Sequence, residues 1–393
     1  MDRIKDLTAQ LENELQENIL GWWLNLKDPQ GGFYGEVSGT GELHKDAPRG
    51  CILNARIIWA FSAAYRALGR PEYLAAAKHA ADWFLEHFTD KENGGVYWST
   101  DCSGRPLDTK KQLYSQGFAI YGLAEYGMAS GDKAALEAAK ALFYIVESRF
   151  RDNEYGGYTE ALSRDFSPLE DMSLSAHDIN AAKTMNSHLH ILEAYATLYK
   201  AWPDPALKKA TVELLDILCT KIMGPDGHLR LYFERNWEVL PGGVSWGHDI
   251  ETSWLALECA DALDDEAVTE KVKPAALLLG AAGNEGLAPD GSMLYERHTD
   301  GSVDSSRQWW VQAETVVGNL WLWKRHADSE GLERALKAWS YISARLLDHA
   351  RGEWFWGVLP DGSPDLASPK AGFWKCPYHN ARMCLEAMKF SRR

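Results

Sequence analysis

The chain has 393 residues, 46% hydrophobic and 25% charged, which fits one large globular domain or two ordinary ones. Its formal charge of −15, with no long basic run, excludes a binder of the nucleic-acid backbone and disfavours an anionic membrane surface. No apolar run can span a bilayer and the six scattered cysteines form no CxxC pair, so reduced thiols and a cytoplasmic location are expected.

The opening stretch MDRIKDLTAQLENELQENIL is charged and amphipathic, which predicts a helix from about Ile4 and no signal peptide. At Asp28 comes DPQGGFYGEV, the first of six related marks: a polar residue, one or two glycines, then a short aromatic strand. DKENGGVYWSTD follows from Asp90 and DNEYGGYTEAL from Asp152. Weaker copies are PDGHLRLYFERNW from Pro225, PDGSMLYERHTDG from Pro289 and ARGEWFWGVLPDG from Ala350. Their first aligned glycines are Gly31, Gly94, Gly156, Gly227, Gly291 and Gly352, which by subtraction are 63, 62, 71, 64 and 61 residues apart.

Between marks the apolar residues recur at helical spacing, with room for two helices. The first pair is ILNARIIWAFSAAYRAL and PEYLAAAKHAADWFLEHF; the second is KQLYSQGFAIYGLAEYGMA and DKAALEAAKALFYIVESRF. Later pairs start near Asn180 and Pro205, near Asp249 and Asp265, and near Gln308 and Gly331. The last helix, from about Tyr378, pairs around the ring with the first. The expected fold is all-α: one (α/α)6 barrel over residues 1–393, about twelve helices, with short β-hairpin strands at one end. First helices of each pair, rich in apolar and aromatic residues, form the inner ring; the Lys/Glu/Ala-patterned second helices form the outer one. An open helical solenoid is the alternative.

The inner helices carry polar oddities at similar distances from the repeat glycine. They are Arg56; Tyr114; Asn186 and His190; Trp246, His248 and Glu251; Trp309, Trp310 and Glu314; Trp374 and His379. In a closed barrel these converge on one pocket at the mouth of the inner ring. Asn186 and His190 are four apart and share a helix face. His188 points away from it. The histidines at 44, 79, 87, 228, 298, 326 and 349 read as structural. The chain's 17 Trp also suit a sugar cleft, where flat rings stack on pyranose faces.

Three chemistries are open on these residues. His190, His248 and His379 with Glu251 could hold Zn²⁺, although no HxH or HExxH pair places two of them on one helix face. Two histidines on opposite sides of a carbon acid could invert it by proton transfer, with Arg56 and Asn186 stabilising the enediolate. Glu251 and Glu314 could instead serve a glycoside hydrolase.

The stretches RGCILNARIIWAFSAAY, KQLYSQGFAIYGLAEY, KTMNSHLHILEAY, SWGHDIETSWL, WWVQAETVVG and WKCPYHNARMCLE carry a resemblance. Over essentially its full length the chain resembles the N-acylglucosamine 2-epimerase superfamily, and the ending PYHNARMCLE is similar to its disaccharide-acting branch. The resemblance implies an (α/α)6 barrel without cofactor or metal. It implies reversible epimerisation at C2 of the reducing-end glucose of β-1,4-linked disaccharides such as cellobiose, lactose or mannobiose, a step suited to mannan degradation. His248 and His379 are then the acid/base pair, acting through a cis-enediolate with rotation about C2–C3, and His190 holds the intermediate. Arg56, Tyr114 and Asn186 bind oxygens around C1–C3, Glu251 positions His248, and Trp310 and Trp374 shape the sugar subsites. Trp309 and Glu314 complete the substrate-binding set. A small disaccharide is the implied partner of a monomer or dimer. The N-acylglucosamine and mannose/glucose isomerase activities of the superfamily are the alternatives. Substrate preference is expected to reside in the repeat-four strand and the loop at residues 163–177.

Overall fold

In a computed structural model, residues 2–175 and 178–391 are described; the end of the expected specificity loop, Ala176 and His177, lies outside them. Among the described residues the helices are α1 (Asp2–Asn13), α2 (Cys51–Leu68), α3 (Pro71–His87), α4 (Leu113–Ser130), α5 (Lys133–Ile145) and α6 (Met185–Ala201). They continue as α7 (Pro205–Ile217), α8 (Trp246–Asp261), α9 (Glu266–Gly283), α10 (Trp309–Arg325), α11 (Gly331–Tyr341) and α12 (His379–Ser391). The path of α1 runs on through a π-type stretch, Glu14–Leu20, and one more turn, Gly21–Leu24.

Local chemistry sets these boundaries. Asp132 and Asp204 accept from the first free amides of α5 and α7, and Pro205 opens α7 with its φ already helical. α2 and α4 stop at Gly69 and Gly131, whose φ values of 72° and 74° are left-handed. The helix expected from Asn180 starts at Met185, because Lys183–Thr184 is strand and the Thr184 hydroxyl accepts from Ser187 N at 3.1 Å.

The inner ring is α2–α4–α6–α8–α10–α12. Each helix packs on the next and α12 packs back on α2, so the ring closes and the solenoid alternative falls. Outer helices α3, α5, α7, α9 and α11 each cover the inner helix before them, and α1 covers α12. The fold is an (α/α)6 barrel. Burial explains the sorting: α4 is buried from Leu113 through Tyr126, whereas α11 buries Gly331, Ala335, Ala338 and Trp339 along one stripe.

The strands do more than form hairpins. Local hairpins exist, such as Glu36–Val37 with Leu43–His44. However, the residues just before an inner helix pair with the turn of the next repeat: Arg49–Gly50 with Ser99–Thr100, Lys111–Gln112 with Ala161–Leu162, Lys183–Thr184 with Tyr232–Phe233, and Arg307–Gln308 with Gly357–Val358. A Val37–Ala371 bridge links the last repeat to the first.

The six aligned glycines share one cause. Their φ values, from 75° at Gly156 to 130° at Gly31, lie where a side chain is strained. The turns are also clamped by charge. Buried Arg49, Lys111 and Lys183, each two residues ahead of an inner helix, and Lys370, in the longer approach to α12, pair with Asp28, Asp90, Asp152 and Asp348 of the same repeat's turn. Repeat four substitutes His228, whose Nδ1 lies 2.7 Å from Asp249 Oδ2. No described helix is long and apolar enough to cross a membrane, and all six cysteines are free.

Candidate active site

The N-terminal ends of the inner helices surround a cavity of about 560 Å³. Arg56, Tyr114, Asn186, His190, His248, Glu251, Trp309, Trp310, Trp374 and His379 all line it, so the structure brings together all the residues expected to converge except Trp246 and Glu314. Their depths differ. His379 opens α12 and His248 lies in the first turn of α8, whereas His190 lies in the second turn of α6.

Each histidine is held at Nδ1. His379 Nδ1 donates to Glu314 Oε1 at 2.7 Å, and His190 Nδ1 donates to Glu193 Oε2 at 2.9 Å. A carboxylate accepts, so Nε2 of both rings carries the free lone pair. His248 Nδ1 lies 2.7 Å from Ser245 Oγ, at the residue preceding α8. The indole of Trp310 lies against both His248 and His379, with centroids 4.7 and 5.7 Å away. Gly247 makes that fit: a Cβ there would come within 2.8 Å of the Trp310 ring.

Two expected roles are corrected. Glu251 does not position His248. One turn further along α8, it accepts from Arg382 Nη2 and lies 3.9 Å from His379 Nδ1. Glu314 does not line the cavity. It is fully buried beneath His379, accepting from Arg382 Nη2 at 2.7 Å and from Trp254 Nε1 at 2.9 Å.

Beneath the histidines lies a layer that the sequence reading passed over: Glu193, Tyr378 and Arg382. Arg382 donates to Glu193 at 2.5 Å as well as to Glu251 and Glu314, and the Tyr378 hydroxyl donates to Glu193 at 2.6 Å. One guanidinium thus ties the partner of His190 to the partner of His379. An Arg in the apolar run NARMCLEAM was as anomalous as Arg56, and Glu193 stands one turn after His190. Both signals were present.

Burial lowers the pKa of all three imidazoles. It takes His248 to about 3, reinforced by His190. His379 lies well below the ordinary histidine value through burial and the charges of Arg382 and Arg56. His190 is lowered by burial, against the pull of Glu193. Burial raises Glu251 to about 8, helped by the Glu314 charge, and burial also raises Glu314. For Glu193 burial acts upward too, but Arg382, His190 and Tyr378 overcome it and hold the carboxylate well below its usual range.

Arg56 Nη2 donates to Tyr114 OH at 2.9 Å, and its guanidinium stacks 4.1 Å from the Phe118 centroid and 4.5 Å from that of Tyr378. It brings a fixed positive charge to the cavity wall. Asn186 Oδ1 and Trp309 Nε1 have no protein partner. Trp374 packs against Trp98 and Tyr114, and Trp309 against Trp356. Trp246 leaves the group: it turns away and packs on Gly286. His188 also turns away, accepting from Tyr158 N at 3.0 Å.

The zinc set considered from sequence is not the cluster that forms. Among the described residues the donor atoms that gather within 4.8 Å belong to Glu251, Glu314 and His379. The Arg382 guanidinium already donates to Oε1 of both Glu251 and Glu314, so a cation sits where a metal ion would have to go.

The family model of N-acylglucosamine 2-epimerase (GlcNAc 2-epimerase) matches residues 32–382. The chain belongs to the N-acylglucosamine 2-epimerase family. It is 46% identical to a cellobiose 2-epimerase of Bacteroides fragilis over 99% of this chain and 100% of that one. Identity to a Ruminococcus albus cellobiose 2-epimerase is 39%, over 97% and 98% of the two chains. The solved cellobiose 2-epimerase of Bacillus thermoamylovorans B4167 matches with a TM-score of 0.95 at 36% identity, over 98% of this chain and 100% of that one. Family membership makes the protein a carbohydrate epimerase, an isomerase acting on a small sugar.

Proposed function

We propose that the protein epimerises C2 of the reducing-end glucose of β-1,4-linked disaccharides, with cellobiose as the reference substrate, and that it works as one domain. The observation that carries this reading is the set of three imidazoles lining one cavity, each fixed at Nδ1. The printed activity of the similar full-length relatives supports it.

The residues then divide the work. Burial keeps His248 and His379 neutral near pH 7, the form that accepts a proton. Ring opening moves the O1 proton to a base and supplies one to the ring oxygen. The resulting aldehyde acidifies C2–H. One histidine takes that proton and leaves a cis-enediolate. Rotation about C2–C3 presents the other face, and the paired histidine returns a proton there, so no proton is gained or lost overall. Arg56, with Tyr114 beside it, faces the developing oxyanion, and Asn186 and Trp309 offer further hydrogen bonds. His190, fixed by Glu193, holds the intermediate. Trp310 and Trp374 form the walls on which the sugar rings stack.

Hydrolysis is disfavoured by the carboxylates themselves. A glycosidase sets two of them on either side of the scissile bond. Here Glu251 and Glu314 share one guanidinium, and Glu314 is shut off from the cavity. The free cysteines support a reducing, cytoplasmic setting for a monomer or dimer.

The test is incubation of EDTA-treated protein with cellobiose in D₂O, followed by proton NMR. A mannose-type reducing end with deuterium at C2 is the expected product. Free glucose would mean hydrolysis. Conversion of N-acylglucosamine alone would move the activity to that branch of the family. Activity lost to EDTA and restored by Zn²⁺ would overturn the metal-free mechanism.

A further inference from the structure

The inner ring has a second end. Opposite the catalytic mouth, the C-terminal halves of the inner helices enclose a cavity of about 350 Å³, which adjoins another of about 260 Å³. Trp59, Tyr121 and Trp254 give the larger one an aromatic wall. Glu193, the partner of His190, and Arg382, which donates to the partner of His379, form its inner wall, so this layer lies between it and the catalytic histidines.

Its charges come as matched pairs. Arg66 pairs with Glu125 at 2.6 Å, Arg382 with Glu193 at 2.5 Å, Lys200 with Glu258, and Lys389 with Glu386. Because each cation already faces a carboxylate, neither an anion nor a cation finds an uncompensated charge there. Unmatched hydrogen-bonding atoms do remain. Glu386 is 7% exposed and lines both cavities, and its Oε2 has no partner. Trp321 Nε1, in the adjoining cavity, lacks an acceptor, and so does Arg382 Nε. The first can only accept and the other two can only donate. A ligand meeting both needs groups that donate and accept, and a hydroxyl does both. Aromatic walls, cancelled charge and unpartnered atoms of both kinds together describe a neutral polyol. At about 350 Å³ the well is near the small end of ligand pockets, which run from roughly 300 to 1,000 Å³. The catalytic cavity is about 560 Å³. The smaller space suits one sugar ring.

We infer that this closed-end well is a second, non-catalytic binding site for a neutral polyhydroxylated molecule of monosaccharide size, with the Glu386 carboxylate accepting from one of its hydroxyls. The inference stands independently of the reaction carried out at the mouth. The probe is methyl β-D-glucoside, which is neutral and cannot open its ring. Its binding is followed by saturation-transfer NMR and titration in the wild type and in Trp374→Ala, Ala63→Phe and Glu386→Gln. Trp374→Ala removes a wall of the catalytic cavity, Ala63→Phe fills the well, and Glu386→Gln replaces a charged acceptor while keeping its shape. Saturable binding is expected in the wild type and in Trp374→Ala, with loss in Ala63→Phe. In Glu386→Gln binding should weaken roughly tenfold, as expected for one hydrogen bond to a charged group. Absence of saturable binding in the wild type would overturn the inference. So would binding that disappears in Trp374→Ala but survives in both well variants. If Ala63→Phe fails to fold, judged by its melting curve, Glu386→Gln decides alone.

Discussion

In the proposed mechanism His248 and His379 must be neutral to accept a proton, and burial keeps them so. That requirement has two measurable consequences. Replacing either with Ala should lower turnover on cellobiose by about 10²–10⁴-fold, the usual share of a positioned acid or base, while the circular dichroism spectrum stays unchanged. Near-wild-type turnover in either variant would remove it from the proton-transfer pair. The second consequence concerns stability. An unfolded histidine titrates near 6.5, whereas burial lowers His248 to about 3. Below pH 6.5 the unfolded chain therefore binds a proton that the native site refuses. The stability due to the neutral ring is complete above pH 6.5 and is lost progressively as pH falls toward 3. His248→Asn should flatten the fall in melting temperature between pH 7 and 5 relative to wild type; an unchanged slope would contradict the depressed value. That His190, His248 and His379 share one cavity was legible in the sequence, because each falls on an inner helix at a similar distance from its repeat glycine. Their partners were not. Ser245 lies three residues from His248, whereas Glu314 reaches His379 from a different helix, and no spacing records that contact. The pairing of Glu251 with His248 that the resemblance implies does not form, because Arg382, from another inner helix, takes that carboxylate.

At the scale of the element, repeats one, two, three and six couple a left-handed glycine turn to the segment ahead of an inner helix through a buried ion pair, whereas in repeat five Arg307 donates to Ser292. Lys111 and Asp90 are both fully shielded and 2.9 Å apart. Removing one partner strands the other charge, which typically costs 3–5 kcal/mol. Lys111→Met should fall near the lower figure, about 3 kcal/mol by urea unfolding, because Arg164 also donates to Asp90 and remains. A loss below about 1 kcal/mol would mean that the clamp is dispensable. The glycines were legible from their period because only their backbone freedom was needed to find them. The cations were not, because Lys or Arg ahead of a helix ordinarily reads as surface charge; only the strand pairing behind it buries it. Repeat four hid best, with His228–Asp249 replacing the usual pair and a degenerate turn.

For the whole molecule, closure is the decisive property. The last inner helix receives its outer cover from the first helix of the chain. Trp23 Nε1 donates to Glu353 at 2.7 Å, and the same carboxylate accepts from Lys375 at 3.0 Å and from Asn380, next to His379, at 2.9 Å. The N-terminal segment therefore braces the catalytic end without lining the cavity. Twelve helices and their inner/outer order could be read from period and composition, whereas the chain of contacts from Trp23 to Asn380 spans more than 350 residues and exists only once the ring is shut. Leu15 is fully buried in this brace. Leu15→Ala should cost about 2–5 kcal/mol, the range for a core leucine. If the ring behaves as one cooperative unit, that cost is spread over the entire molecule. Tryptophan fluorescence and epimerase activity should then be lost together in a single thermal transition, shifted downward as a whole. Each additional kcal/mol moves the midpoint of a chain this long by only a few degrees. An early transition that abolished activity while most tryptophan fluorescence stayed native would show instead that the α1–α12 seam opens alone.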